Sequence, residues 1–227
     1  MWPTDAEALI AVQRELAVTV VEPWLPPPGA LRVGGCWVCF PRGISGPGCA
    51  GDPAWAAAVV VDQDRVVDRS VAAGVAAAPY APGLLALRVG PLLEQAVRGL
   101  TEPPDVLMLD ATGPDHPRSA GLAIHLGAAL GLPTIGATHR PLLATGQPPG
   151  DQRGETSPLR IGDEVVASWL RTRTGVRPLV VHAGWRTTLD SAVRLVQAAT
   201  TRQRTPEPLR QARHLARQAR AGGRAPG

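Results

Sequence analysis

Residues 105–110 read DVLMLD, four apolar side chains in a row with an aspartate at each end. A strand of that composition has no face to offer to water, so it needs cover above and below, inside a sheet with helices on both sides. The segments around it agree with that requirement. TDAEALIAVQRELAVTVVE opens with Thr4 as an N-cap and Glu7 three residues on, then runs at helical spacing, and PWLPPPG ends it. Residues 31–40, 54–61 and 65–72 read as three strands, the last two joined by the short turn DQD, which makes an antiparallel meander. A helix follows over residues 84–99, with Gly90 and Pro91 expected to kink or restart it. After DVLMLD come the loop ATGPDHPRS, a helix at 120–130 and the strand PTIGA. This order predicts an α/β domain built on a mixed sheet. Residues 144–158 read as a surface loop, GDEVVASWLRT and RPLVVHAGW as further strands, and TTLDSAVRLVQAAT as an amphipathic helix with Asp190 near its start.

The 227 residues, 44% of them apolar and 19% charged, suffice for one main core and exclude general disorder. The basic residues, 23 in all, are every one arginine, for which a GC-rich genome is preferred to selection for phosphate contacts. The net charge of +4 is unevenly placed: residues 201–227 carry seven arginines against Glu207, and the remaining 200 residues sum to −2. A basic surface over the whole body is therefore not expected, and the arginine-rich tail speaks only weakly for an acidic partner. Within that tail Leu209, Ala212 and Ala216 fall at helical spacing with few large apolar neighbours, which allows a loosely docked helix or a disordered arm.

Cys36, Cys39 and Cys49 form an odd set without a secretory leader before them, so a cytoplasmic, reducing location is expected. The CxxC of Cys36 and Cys39 lies in VGGCWVCF, a strand, where residues three apart point to opposite faces; a structural role is preferred to metal or redox work. No apolar run reaches membrane-spanning length.

Asp110 closes the buried strand and enters a loop with Gly113, Asp115 and His116, the usual place in an α/β fold for a catalytic or metal-binding carboxylate. A simple turn-capping role for it is equally open at this point. His116 and Arg118, just before a helix, suit phosphate at a helix N-terminus. His125 and His182 fall in a helix and a strand, where core histidines are the commoner finding.

PYAPG, LMLDATGPDHPRSAGLAIHLG, LPTIGATHRPL and TTLDSA, in that order, resemble the endonuclease V family over about residues 5–200. The resemblance implies an RNase H-like fold, a mixed five-stranded sheet flanked by helices, in residues 1–200, with 201–227 as an appended tail. It also implies DNA or RNA containing deaminated purines, chiefly inosine or deoxyinosine, as partner, and Mg²⁺ as the cofactor for cutting the second phosphodiester bond on the 3′ side. Pro79, Tyr80, Ala81, Pro82 and Gly83 match the family's wedge, which parts the strands beside a flipped base; two prolines stiffen it, Tyr80 would stack, and Ala81 makes it smaller than usual. Gly83, Gly113 and Gly121 would allow close approach, and His116 and Arg118 complete the implied nucleic-acid contacts.

The catalytic positions match only in part. Asp110 and Asp190 match two of the family's acids and are the implied metal ligands, while His139 falls where the family has its catalytic lysine. Trp37 stands where the first-strand aspartate is expected and Val89 where the helix glutamate is expected. A hard cation takes oxygen ligands, which neither an indole nor an isopropyl group supplies. Three readings follow: a nucleic-acid binder that cuts poorly or not at all; an active nuclease with rearranged ligands, Asp52 and Asp115 being loop acids that could turn inward; or a repurposed site in which Cys39, on the strand face of Trp37, is activated by His116 or His139.

Overall fold

The computed structural model describes residues 2–222. In chain order the elements are α1 (Ala6–Val18), β1 (Arg32–Cys39), β2 (Pro53–Asp62), β3 (Arg65–Val75), α2 (Leu85–Arg98), β4 (Val106–Leu109), α3 (Leu122–Leu130), β5 (Thr134–Thr138), β6 (Thr156–Ile161), β7 (Glu164–Leu170), β8 (Leu179–Ala183), α4 (Leu189–Ala198) and α5 (Glu207–Ala221). β4, buried at all four positions, lies inside one sheet of order β3-β2-β1-β4-β5-β8-β7-β6. β1, β4 and β5 run parallel; β2 and β3 continue antiparallel on one side and β8, β7 and β6 on the other. The expected five strands are therefore the first part of an eight-stranded sheet.

Helices cover both faces. α2 and α3 pack on one, with α1 against them, and α4 and α5 pack on the other. Pro91 does not break α2, which runs unbroken from Leu85 to Arg98. The lost backbone hydrogen bond is offset by burial of Leu92, Leu93, Ala96 and Val97 beyond it, each large aliphatic side chain contributing about 1.5–3 kcal/mol. The first helix is capped one residue later than expected, the Asp5 carboxylate accepting from the Ala8 N–H at 2.8 Å.

Of the two forms open to the arginine-rich tail, residues 207–221 take that of a docked helix, while 223–227 lie outside the described residues. Its grip comes from small residues. Ala212 and Ala216 are fully buried against β1 and β2, Ala216 in one cluster with the equally sealed Ala57, so the helix sits close to the sheet. At Gly35 of β1 a methyl group would come within 2.4 Å of the Pro208 carbonyl group, so glycine sets how near the helix start can lie. Few large apolar side chains are needed when the backbones are this near.

Candidate functional site

Cys36 pairs with Leu109 across the parallel ladder of β1 and β4, so the next rung places Trp37 beside Asp110 at the ends of both strands. The half-buried indole carries the Arg213 guanidinium of α5 over its ring, 5.2 Å from the centroid. A cation this near an aromatic face is held by the ring quadrupole. Asp110 opens to water yet is walled by protein on most sides; this crowding raises its carboxyl to about 6, and Arg213 pulls the other way. His139, just past β5, is depressed by partial burial first and then by Arg204 and Arg213. A carboxylate, an indole and the Arg213 guanidinium thus meet at this corner, with His139 within electrostatic reach of Arg213 and Arg204.

Beside it lies a cavity of about 400 Å³. Trp37, Val89, Cys36, Tyr80 and Asp110 contribute to its wall. A second, smaller one of about 150 Å³ joins Asp110 and Tyr80 to Gln13, Gly83 and His116. Tyr80 and Asp110 therefore border both spaces.

The PYAPG turn is braced from behind. Gly83 takes φ +74°, a conformation glycine adopts without strain. Its carbonyl accepts from Gln13 Nε2 at 3.1 Å, His116 Nε2 at 3.1 Å and Arg118 Nη2 at 2.6 Å. Arg118 Nε donates in addition to Gln13 Oε1 at 2.6 Å, and its backbone N–H to His116 Nδ1 at 3.2 Å. The ring is therefore the neutral Nε2–H tautomer with both nitrogens in use, and burial lowers it to about 4. Pro79 and Pro82 flank the tip, Ala81 accepts the Leu84 N–H through its carbonyl at 3.0 Å, and the Tyr80 N–H donates to the Pro47 carbonyl at 2.8 Å. The Tyr80 side chain is left 46% exposed, which makes it the free end of the turn.

Several expected residues have other work. Gly113 and Gly121 do permit close approach, but of protein: a methyl group would meet the Ala183 carbonyl oxygen at 2.0 Å and the Thr112 carbonyl oxygen at 2.2 Å, respectively. Asp190 is exposed in the first turn of α4 and borders neither space beside Asp110. The loop acids do not turn inward. Asp115, fully buried, accepts from the Leu142, Leu143 and Ala144 N–H groups at 2.7, 2.7 and 2.8 Å. Asp52 accepts from Arg88 Nη2 at 2.8 Å and from the Cys49 N–H at 2.7 Å. Glu94 accepts from Trp2 Nε1 and from Arg98 at the outer side of α2.

The cysteine idea also needs correcting. Cys39 shares the strand face of Trp37 as expected, but α5 covers it, its thiol donates to the Ala216 carbonyl at 3.3 Å, and burial raises its pKa. The cysteine bordering the larger cavity is Cys36, pushed up to about 12 by full burial, so neither thiol is disposed to ionise. His125 stacks on Trp2 with ring centroids 4.4 Å apart, and His182 is fully buried, so both are core residues.

Gln13 and Arg213 escaped sequence reasoning. Each left a trace: Gln13 follows Leu9 by four residues on the buried side of α1, and Arg213 follows Leu209 by four at the edge of the buried stripe of α5. A polar residue on an otherwise apolar helix face is the mark of a specific partner.

A mixed sheet whose central parallel strand delivers an aspartate to a cleft, with helices on both faces, defines the RNase H-like class of fold. Within it the chain belongs to the endonuclease V family, whose model matches residues 36–214. A relative named Endonuclease V from Streptomyces avermitilis is 41% identical over 222 residues, covering 96% of this chain and 93% of that one. A crystal structure of Endonuclease V from the same organism superposes with a TM-score of 0.88 at 40% identity, covering 99% and 96% of the two chains. Endonuclease V of Ciona intestinalis, solved in complex with DNA containing an inosine followed by a ribo-adenosine, shares the fold at a TM-score of 0.77 and 21% identity, covering 95% and 98%.

Proposed function

We propose that this protein binds nucleic acid containing deaminated purines, as inosine or deoxyinosine, and that it cleaves the phosphodiester backbone weakly or not at all. The observation that carries the reading is the placement of Trp37 on the rung beside Asp110, with Val89 walling the same cavity. Mg²⁺, the cofactor implied by the family resemblance, needs converging oxygen donors. The donors around Asp110 do not fit it: the neighbouring positions hold an indole, an isopropyl group and a guanidinium. Asp52, Glu94 and Asp115 are committed elsewhere, which argues against a rearranged ligand set.

The gripping half of the cleft supports the binding side of the proposal. A stiff turn with an exposed Tyr80 offers an aromatic face to a base, and stacking of that kind contributes about 1–3 kcal/mol per base. Incubating the purified protein with inosine-containing DNA and RNA oligonucleotides, in Mg²⁺ or Mn²⁺, tests both halves. Binding without multiple turnovers is expected; multiple turnovers abolished by Asp110→Ala overturn the reading.

A further inference from the structure

The corner beside Asp110 has a feature that the loss of carboxylates does not require: a positive charge has been built into it. Arg213 is half-buried and flanks the buried stripe of α5 formed by Leu209, Ala212 and Ala216, so the helix brings its guanidinium over Trp37 of β1. Trp37, at the place of an expected carboxylate, is the platform on which the guanidinium rests. Its Nε is sealed from water and has no hydrogen-bond acceptor among the described residues, while the residue as a whole is half-buried. Buried guanidinium donors are ordinarily satisfied, and this group, left without a carboxylate partner among the described residues, keeps its charge for an anion that reaches its accessible part.

Charge tells the same story. Arg204 stands nearby, held by the Arg177 carbonyl at 2.6 Å and the Pro178 carbonyl at 2.7 Å, and with Arg213 it depresses His139. Arg213 acts on both Asp110 and His139, and Arg204 on His139, so the imidazole side of the corner carries positive charge. A divalent cation would meet repulsion there, whereas an anionic oxygen would not. Arginine also suits phosphate better than a point charge, since its fork can present two parallel donors.

We propose that Arg213, stacked on Trp37, is a fixed cation that binds a backbone phosphodiester of single-stranded nucleic acid at the Asp110 corner without a divalent metal ion. This rests on the nucleic-acid reading above and deepens it, naming the group that receives the backbone while the Tyr80 turn engages a base. The indole and the guanidinium then act as one device: the ring holds the cation in place and the cation holds the phosphate.

Fluorescence anisotropy of a labelled single-stranded oligonucleotide containing one inosine, with the full chain in EDTA and again in Mg²⁺, decides the matter. Affinities in the two buffers should agree within about twofold, since no bound ion is required. Arg213→Met keeps a long unbranched side chain suited to a helix while removing the charge, and should weaken binding about tenfold and lower the dependence of log affinity on log salt by about one ion. Arg213→Lys should fall between the two. Arg65→Ala, at the remote β2–β3 turn, should bind as the unaltered chain does, and melting curves show whether each variant is folded. Binding that needs Mg²⁺, or that survives Arg213→Met unchanged in a folded protein, overturns this proposal and leaves the nucleic-acid reading standing. Absence of binding in both buffers overturns the two together.

Discussion

The braced turn and the Asp110 corner border the same two cavities and are built on opposite principles. Behind the turn donors share acceptors: Gln13, His116 and Arg118 converge on one carbonyl, and both nitrogens of the histidine are used. At the corner an aspartate is crowded, a guanidinium leans on a ring, and its Nε has no acceptor among the described residues. A satisfied network fixes a shape, whereas a buried polar atom without a partner is costly and fixes little. The contrast separates a part of the cleft that stays as it is from a part that, on the proposal above, is completed by what it binds.

The largest effect should come from the region behind the turn. Asp115→Ala strips the acceptor from three backbone N–H groups in a sealed site, and should cost about 3 kcal/mol or more, seen as a fall in Tm of roughly 6–12 °C. A change under about 1 kcal/mol would mean that the loop at 142–144 is held by something else.

Next comes the attempt to undo the corner. Trp37→Asp combined with Val89→Glu returns two carboxylates to the cavity, and adding Arg213→Ala removes the opposing cation. Cleavage of inosine-containing DNA in Mg²⁺ should rise by about 100-fold over the unaltered chain, equivalent to about 2.7 kcal/mol of barrier, read on a denaturing gel. No gain in the folded triple variant would show that more than these side chains separates the corner from a working metal site.

Tyr80→Ala tests the free end of the turn. Loss of one stacking surface should weaken inosine-oligonucleotide binding by about 1–3 kcal/mol while leaving Tm unchanged, since the ring is already 46% exposed.

The smallest effects are in pH, and here the two regions should respond with opposite sign. His116 is held near 4 in the fold against an ordinary 6.5, so its contribution is present above about 6.5 and is lost as pH falls toward 4. Asp110 is raised to about 6 from an ordinary 3.8, so its contribution is present below about 3.8 and is lost as pH rises through 6. His116→Gln should therefore flatten the acid side of the stability profile. Asp110→Asn should stabilise the protein above pH 6 by about 1 kcal/mol, discounted for the water that reaches the cleft, and by nothing near pH 4. Profiles that shift in the same direction would erase the distinction between the two regions.

Much of the scaffold was legible because it rests on local pattern. The fully apolar β4, the β2–β3 meander and the helices after the PYAPG turn carry period and punctuation that few other structures share. β6 was not legible, because TSPLRI buries only Leu159 fully, carries Pro158 and occupies a sheet edge, where one-sided cover leaves a weak signal. The docking of α5 was hidden for a different reason: alanine against alanine looks like poor hydrophobicity until the distance between the backbones is known. In the site, substitutions at 37 and 89 could be read by resemblance, but the fate of the spare acids could not. Whether Asp115 turns inward or pins residues 142–144 depends on a loop 27 residues away. Arg213 was invisible as a partner of Trp37, since the two meet only when the last helix folds back over the first strand.

The shared carbonyl of Gly83 also sets a timetable. Residues 13 and 118, bonded to each other and to that oxygen, are 105 positions apart. As the polypeptide leaves the ribosome, the tyrosine-bearing loop is finished only once Arg118 has emerged and come to rest against the first helix. A nascent chain stopped short of that point would own the loop's sequence without its stiffness.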